Sequence, residues 1–428
     1  MPNAALRRAV ASSFLGSVIE YYDFLLYATA SAVVFNKVFF SSLDPLVATI
    51  ASFGTFATGY LARPLGGLLF GHFGDLLGRK RMLVLTMALM GVASSLIGLL
   101  PTYAQVGWIA PVGLVVLRVV QGIAVGGEWG GAVLMSVEHA TRRRGLWAGF
   151  TNAGAPCGLV LSTVALTATA AAVGERAFLD WGWRIPFLIS VVLLGVGLFV
   201  RHRVEETPAF QAVREAGVKR RVPVVEVLRD HRRVLLLGIG VGLAAFVAQS
   251  TLTTFVVAHG VAVGHARQTV LNALTVSSAV AVVAILGWSA ASDRFGRRPV
   301  VVAGALAMAV YAFVLFPLVD SGDTVLLTVA LVLGQGVIHP MMYGPLAALY
   351  SELFGTRNRY TGASLGYQVA GLGAGLAPVL FAGIQRASGG GGLVLISAAI
   401  AGFCLLTVVC VLALKETGTR DLQPVPVP

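Results

Sequence analysis

Long apolar runs, each closed by a short polar and mostly basic segment, organise this chain. Twelve are legible, at about 10–36, 46–73, 82–100, 107–137, 145–172, 185–200, 234–260, 268–291, 299–319, 324–350, 361–385 and 392–414. A helix rises about 1.5 Å per residue, so about 20 apolar residues cross a hydrocarbon slab about 30 Å thick. Barrel strands would instead alternate over about ten residues, and open strands would leave backbone groups unpaired in lipid. The pattern predicts an all-α polytopic membrane protein with twelve transmembrane helices.

Composition strengthens that expectation. The chain is 57% hydrophobic and only 12% charged, with a mean hydropathy of +0.84, whereas a soluble domain carries about 25% charged residues. A net charge of +12 in a soluble chain would point to nucleic acid. Here the basic residues cluster after every second run: Arg7 and Arg8, Arg79 to Arg81, Arg142 to Arg144, a dense group between Arg201 and Arg233, Arg294, Arg297 and Arg298, Arg357 and Arg359, then Lys415 and Arg420. The other side holds Lys37, Arg176, Arg184, Arg267 and Arg386. The positive-inside rule then places both termini in the cytoplasm, and the expected location is the inner membrane. The basic excess reports topology and lipid headgroups, and no nucleic-acid partner is expected.

The charged stretch 201–233 reads as a solvated cytoplasmic linker, dividing the chain into a six-helix bundle over 1–200 and another over 234–428. The start RRAVASSFLG, with ATASA after it, imitates a signal peptide, but Glu20 and Asp23 inside the apolar run argue against cleavage. Cys157, Cys404 and Cys410 all fall in apolar runs and read as packing residues.

The two halves repeat. GHFGDLLGRKRM at 71–82 answers SAASDRFGRRPV at 289–300, with Asp75 to Asp293 and Arg79 to Arg297 both 218 apart. Gln121-Gly122 and Gln335-Gly336 are 214 apart, as are Glu138 and Glu352. Parallel repeats of this kind place a substrate site near the midplane, between the halves. The halves differ in charge: Glu20, Asp23, Arg63, Arg118 and Glu128 lie deep in runs of the first, whereas the second offers His339.

The loop at 71–82 resembles the hallmark of the major facilitator superfamily, G-x-x-x-D-R-x-G-R-R, through Gly71, Asp75, Gly78, Arg79 and Lys80, with Leu76 in place of the usual Arg. The second copy keeps Asp293, Arg294, Gly296, Arg297 and Arg298, with Ser289 in place of the first Gly. IEYYDFLLY at 19–27, RPLGGLLFGHFGD at 63–75, RVVQGIAVGGEWGGA at 118–132, WGWRIPF at 181–187 and RYTGASLGYQVAG at 359–371 together resemble its metabolite:proton symporter branch. The resemblance implies two six-helix bundles and the uptake of small carboxylates or zwitterions with protons.

Individual residues then acquire candidate roles. Glu20 and Asp23 lie one turn apart and about 15 Å into the first run. Two acids this close in a partly dry cavity disfavour double ionisation, which suits a proton carrier; otherwise they are a structural pair bonded to Arg or Tyr, with Tyr27 one turn from Asp23. Glu128, in GGEWGG, is the third proton-coupling candidate. Arg118 is a fixed positive charge suited to a substrate carboxylate, with Gln121 one turn on; either it or Arg63 could partner the acids. Gln249, Gln335, His339, Tyr343, Tyr367 and Gln368 are the groups through which the second half would touch substrate. Asp75, Arg79, Asp293 and Arg297 are candidate gates that tie neighbouring helices in one access state. The glycines of GGEWGG and GLGAGLAP mark close helix crossing, not phosphate loops, and TNAGAPCG at 151–158 reads as a kink.

No cofactor or metal is implied, and the scattered histidines form no catalytic motif. The reading is a monomeric, proton-coupled importer of a small organic acid. Open beside it stand a drug/proton antiporter, a zwitterion symporter and a non-transporting membrane sensor.

Overall fold

In a computed structural model, the structure describes residues 4–43, 45–140, 142–204, 206, 211, 223–355, 358–388 and 391–418. Among them stand twelve long helices and no strand: α1 Ala4–Ala30, α2 Pro45–Leu77, α3 Arg79–Leu99, α4 Ile109–Glu138, α5 Arg144–Val173, α6 Phe178–His202, α7 Arg232–Ala262, α8 Arg267–Phe295, α9 Arg297–Val319, α10 Thr324–Leu353, α11 Arg359–Ala387 and α12 Leu393–Ala413. Ten are long and apolar enough to cross a membrane by length and composition. Acid-bearing α1 and the 33-residue α2 complete the twelve. Large apolar side chains turned outward, such as Val283 at 73% and Val310 at 70% exposure, belong against lipid chains.

The sequence repeat reappears as a repeated pairing. In the first half α1 packs on α5, α2 on α4 and α3 on α6; in the second α7 packs on α11, α8 on α10 and α9 on α12. Two seams, α2 against α11 and α5 against α8, join the halves. The hairpins α2–α3 and α8–α9 turn on Gly78 (φ 110°) and Gly296 (φ 94°), a backbone region that side chains resist, which is why each loop copy needs its glycine.

Close approach sets up the charged core. Cβ atoms at Gly122 and Gly126 of α4 would strike the backbone carbonyls of Gly59 and Arg63 of α2, so bare glycines let these two helices touch. That contact holds Arg63 and Arg118 on neighbouring backbones. The glycines of GGEWGG and GLGAGLAP likewise face side chains of facing helices: Gly130 meets Ser364 and Tyr360, and Gly375 meets Tyr60. Pro156 of TNAGAPCG lies inside α5, and all three cysteines are free.

Wide π-helical turns interrupt the regular pattern at matching places, Ser31–Phe35 after α1 and Thr251–Phe255 within α7; a third, Val332–Ile338, carries Gln335 in α10. Within the linker at 201–233, residues 205, 207–210 and 212–222 lie outside the described residues. Its described part includes a short helix, Pro223–Asp230, which touches α2, α7 and α11.

Candidate functional site

Among the buried ionisable side chains of the first half are three acids, Glu20, Asp23 and Glu128, and three arginines, Arg63, Arg118 and Arg201. One direct pair forms among them, between Arg201 Nη2 and Glu128 Oε1. Arg201 was read from the sequence as the first residue of the linker. It belongs instead to the last turn of α6, pointing inward at 3% exposure. Its signal was available: an acid in mid-helix, Glu128, requires a compensating charge.

Neither arginine that the sequence offered as a partner for the α1 acids pairs with one; among the described residues no carboxylate lies within salt-bridge distance of Arg63 or Arg118. The Arg118 guanidinium lies 3.9 Å from the Phe24 ring centre, 4.2 Å from Tyr27 and 5.1 Å from Phe56. Arg63 lies 4.9 Å from both Phe24 and Tyr60. Cation–π attraction of this kind offsets part of the cost of a buried guanidinium.

A hydrogen-bonded chain leads from Arg118 toward Asp23 and ends at Ser94. Arg118 Nη1 donates to Gln121 Oε1 at 3.0 Å, and Gln121 Nε2 donates to Ser94 Oγ at 2.7 Å. Ser94 lies close to Asp23, whose Oδ1 accepts from Ser190 Oγ of α6 while Oδ2 has no hydrogen-bond partner. The expected partner Tyr27 is engaged elsewhere, donating to Thr55 Oγ1 at 2.6 Å. Both carboxylate oxygens of Glu20 lack a hydrogen-bond partner; the charges acting on it are Glu128, Arg63 and Arg201.

The second half meets this core through hydroxyls and amides. Tyr21, Tyr343 and Tyr367 form a triangle, with hydroxyl separations of 3.2, 3.4 and 2.8 Å. Trp129 stacks on Tyr367 with ring centres 3.4 Å apart, and its indole N–H donates to Asn152, whose amide donates to the Tyr343 carbonyl. Gln368 Nε2 donates to Gly126 O at 3.1 Å. His339 is buried and stacked on Tyr343, Gln335 is buried, and Gln249 is half-buried. Tyr21, Trp129, Asn152, Ser94 and Ser190 were missed from sequence, being common residues with no motif of their own.

None of the expected substrate residues is among the described lining of one open cavity between the halves. That cavity, about 250 Å³, lies away from the termini and is bordered by Leu25, Thr29, Lys37, Thr254 and Arg267. The predicted residues form a closed centre beneath it.

Toward the termini two latches join the halves. Thr361, near the start of α11, donates its backbone N–H (3.1 Å) and hydroxyl (2.9 Å) to Asp75 Oδ2. At the other seam the N–H groups of Gly145 and Leu146, at the start of α5, donate to Asp293 Oδ1 and Oδ2 at 2.8 and 2.9 Å. Each aspartate thus meets a helix N-terminus of the opposite half, where N–H groups and the helix dipole favour an anion. Arg79 lies 3.8 Å from Asp75 and 3.4 Å from Glu138, which also pairs with Arg359 at 3.2 Å. Arg297 lies 2.8 Å from Asp293 and 3.0 Å from Glu352. Glu138 and Glu352 are therefore part of the latches, as their matched offset could have told.

A further acid supports each hairpin. Glu206, after α6, accepts from the backbone N–H of Lys80 at 3.2 Å. Glu416, after α12, accepts from the N–H groups of Arg297 and Arg298 at 2.9 and 3.1 Å, while Thr417 donates to Glu352 at 2.7 Å. Partial burial disfavours the Glu416 carboxylate, but the N–H groups of Arg297, Gly418, Arg298 and Thr417 outweigh it and hold its pKa below the usual range.

Comparison with known proteins decides the family. The model of the Major Facilitator Superfamily matches residues 13–378 and 263–427. The chain belongs to the major facilitator superfamily. The shikimate transporter of Escherichia coli (strain K12) is 38% identical over 96% of this chain and 95% of its own length. The proline/betaine transporter of Salmonella typhimurium (strain LT2) is 33% identical over 98% of this chain and 85% of its own. In three dimensions the proton:xylose symporter XylE of E. coli, solved with 6-bromo-6-deoxy-D-glucose, superposes with a TM-score of 0.79 at 17% identity, over 99% of this chain and 98% of XylE. This superfamily member is an integral membrane transporter of metabolites, with twelve helices in two pseudo-symmetric bundles, and not an enzyme.

Proposed function

We propose that the chain is a proton-coupled symporter that imports a small carboxylate by alternating access across the inner membrane, with both termini cytoplasmic. The observation that carries this reading is the charge balance of the buried core. With Glu20, Asp23 and Glu128 ionised, their charges cancel those of Arg63, Arg118 and Arg201. Binding one proton leaves an excess positive charge in a dry site, and a substrate carboxylate restores neutrality. Proton and carboxylate thus favour each other's binding, which is the coupling a symporter needs.

Roles follow from position. Asp23 is the coupling acid, because the Gln121–Ser94 chain leads from Arg118 to its neighbourhood and its Oδ2 is buried without a hydrogen-bond partner. Arg63 and Arg118 receive the carboxylate, and the Tyr21–Tyr343–Tyr367 hydroxyls bind the substrate's polar body across the halves. Glu20 completes the balance, and Glu128 is held by Arg201. The Asp75 and Asp293 latches close the cytoplasmic side while the cavity opens outward. The two six-helix bundles move as the two bodies about the linker between α6 and α7, in a monomer. The substrates for which the relatives are named support a carboxylate, since shikimate, proline and betaine all carry one.

A zwitterion is the second reading, favoured by the rings of Trp129, Tyr367 and Tyr343, which suit a quaternary ammonium. Proteoliposomes with a controlled pH gradient, offered labelled shikimate, 2-oxoglutarate, citrate, proline and betaine, test both. Accumulation of an acid driven by an inward proton gradient supports the first reading. Accumulation of betaine or proline alone supports the second, and export of an organic cation in exchange for protons would replace both with a drug antiporter.

A further inference from the structure

The last turn of α6 touches both the buried charges and the cytoplasmic hairpin. Its Arg201 guanidinium pairs with Glu128 over the bare backbone of Gly16: a Cβ there would strike Arg201 Nη2 and come within 3.1 Å of Glu128 Oε1. Gly16 stands one turn before Glu20 on α1, so the pair lies one turn from the α1 acids. The next residue, His202, accepts at its carbonyl from Lys80 Nζ, 3.0 Å away. Val204, just past the helix, is buried among Ala9 of α1, Leu83 of α3, and Ala132 and Met135 of α4, and Glu206 takes the Lys80 backbone N–H at 3.2 Å. Lys80 follows Arg79, which pairs with Asp75 and Glu138 in the α2–α11 latch. An unbroken set of contacts therefore runs from Glu128 through Arg201 and the end of α6 to the hairpin that carries Asp75.

We infer that Arg201 is a positioning residue that carries the charge state of the buried acids to the cytoplasmic latch. While Glu128 is ionised, the pair pins the end of α6 against α1 and α4. The Lys80 bond then sets the hairpin so that Asp75 meets the N–H and hydroxyl of Thr361. Neutralising Glu128 weakens the hold on Arg201, because a charge-assisted bond is roughly twice as strong as a neutral one. The end of α6 relaxes, and the hairpin is freed to leave α11. A loaded core thereby shifts the population toward the state open at this face. Glycine at 16 is what allows the link, since a side chain there would displace the guanidinium from Glu128. The use of the link in transport rests on the proton loading proposed above; the link itself rests on the contacts.

The test compares two single-cysteine reporters in a background lacking Cys157, Cys404 and Cys410. Ser364→Cys reports the α2–α11 seam, because Ser364 is fully buried against Gly67 of α2 and Gly130 of α4. Thr254→Cys reports the face away from the termini, where Thr254 lines the open cavity. Gly16→Ala keeps every charge and meets the flexible ends of Arg201 and Glu128, so it displaces the guanidinium without the folding loss of an Arg201 truncation. Glu128→Gln removes the charge in place. In each variant maleimide labelling should become about fivefold faster at 364 and slower at 254, as a shift of access state requires. The two substitutions combined should do no more than the larger alone, because both break one link. Unchanged labelling in either variant overturns the link. So does faster labelling at both positions, which marks a role in stability alone. The proton reading is judged apart: if Asp23→Asn and Glu20→Gln keep gradient-driven uptake while Glu128→Gln switches access, the link stands and the proton loading beneath it fails.

Discussion

Replacing Asp293 by Asn tests whether the latches set the balance between access states. Asp293 accepts an N–H at each oxygen, from Gly145 and Leu146 of the opposite half, and pairs with Arg297 within its own hairpin. Asparagine keeps one acceptor, turns an N–H₂ group toward the other N–H, and removes the charge facing the α5 N-terminus. A hydrogen bond to a charged group contributes about 1.5–3 kcal/mol, and charge at a helix N-terminus adds about 0.3–1 kcal/mol. A net loss of about 2–3 kcal/mol shifts the closed-to-open ratio at this face by about 30- to 150-fold. Asp75→Asn should cost less, about 1 kcal/mol, because Oδ2 alone takes both bonds and the Thr361 hydroxyl can reorient. The assay is labelling of Ser289→Cys, in a background lacking the native cysteines, because Ser289 is fully buried against Gly149 and Gly344 while the α5–α8 seam is closed. Labelling should rise strongly in Asp293→Asn and weakly in Asp75→Asn, with little change in intrinsic substrate affinity. Equal, unchanged labelling in both variants with normal turnover would refute the latch reasoning.

Arg118→Lys keeps the charge but loses the planar fork that both bonds Gln121 and lies over the Phe24 and Tyr27 rings. Substrate affinity should fall about 10- to 100-fold, and a neutral ester binding as tightly as its acid would contradict the assignment. Arg201→Met leaves Glu128 buried and unpaired, at a cost of about 3–5 kcal/mol; adding Glu128→Gln should recover much of the lost thermal stability, and strict additivity of the two losses would count against the pair. For Glu416 the depressed pKa means that its stabilising contribution is complete above the ordinary value of 4.5 and is lost as pH falls through the lower folded-state value. Glu416→Gln should therefore lower Tm at neutral pH and converge with the parent in acid; a constant gap down to pH 3 would oppose this.

The fold was legible because its signals are long and redundant: twelve apolar runs, a basic residue cluster after every second one, and two loop copies with glycine at the same step. The individual acids and arginines were legible too, since a charge in mid-span stands out against apolar neighbours. Their pairing was not. Arg201 looked like linker because the charged stretch begins there, although α6 continues through it and the side chain turns inward. The latch partners were hidden for another reason: Asp293 meets backbone N–H groups, which any residue at 145 and 146 would supply. Ser94 and Ser190 became relevant only through the packing of α3 and α6 around α1. The expectation that Tyr27 serves Asp23 failed because Thr55, on α2, takes the hydroxyl.

Coupling through the α1 acids is the central claim, and counterflow measured beside gradient-driven uptake tests it most directly. Asp23→Asn fixes the coupling acid in a neutral, proton-loaded form, and Glu20→Gln is its matched control. Reconstituted in equal amount and orientation, Asp23→Asn should still exchange labelled for unlabelled substrate across the membrane, because exchange requires no return of an empty, deprotonated carrier. It should fail to concentrate substrate under an inward proton gradient. If both variants concentrate substrate with the parent's pH dependence, the acids are structural, the charge balance does not couple the two ligands, and the account is contradicted.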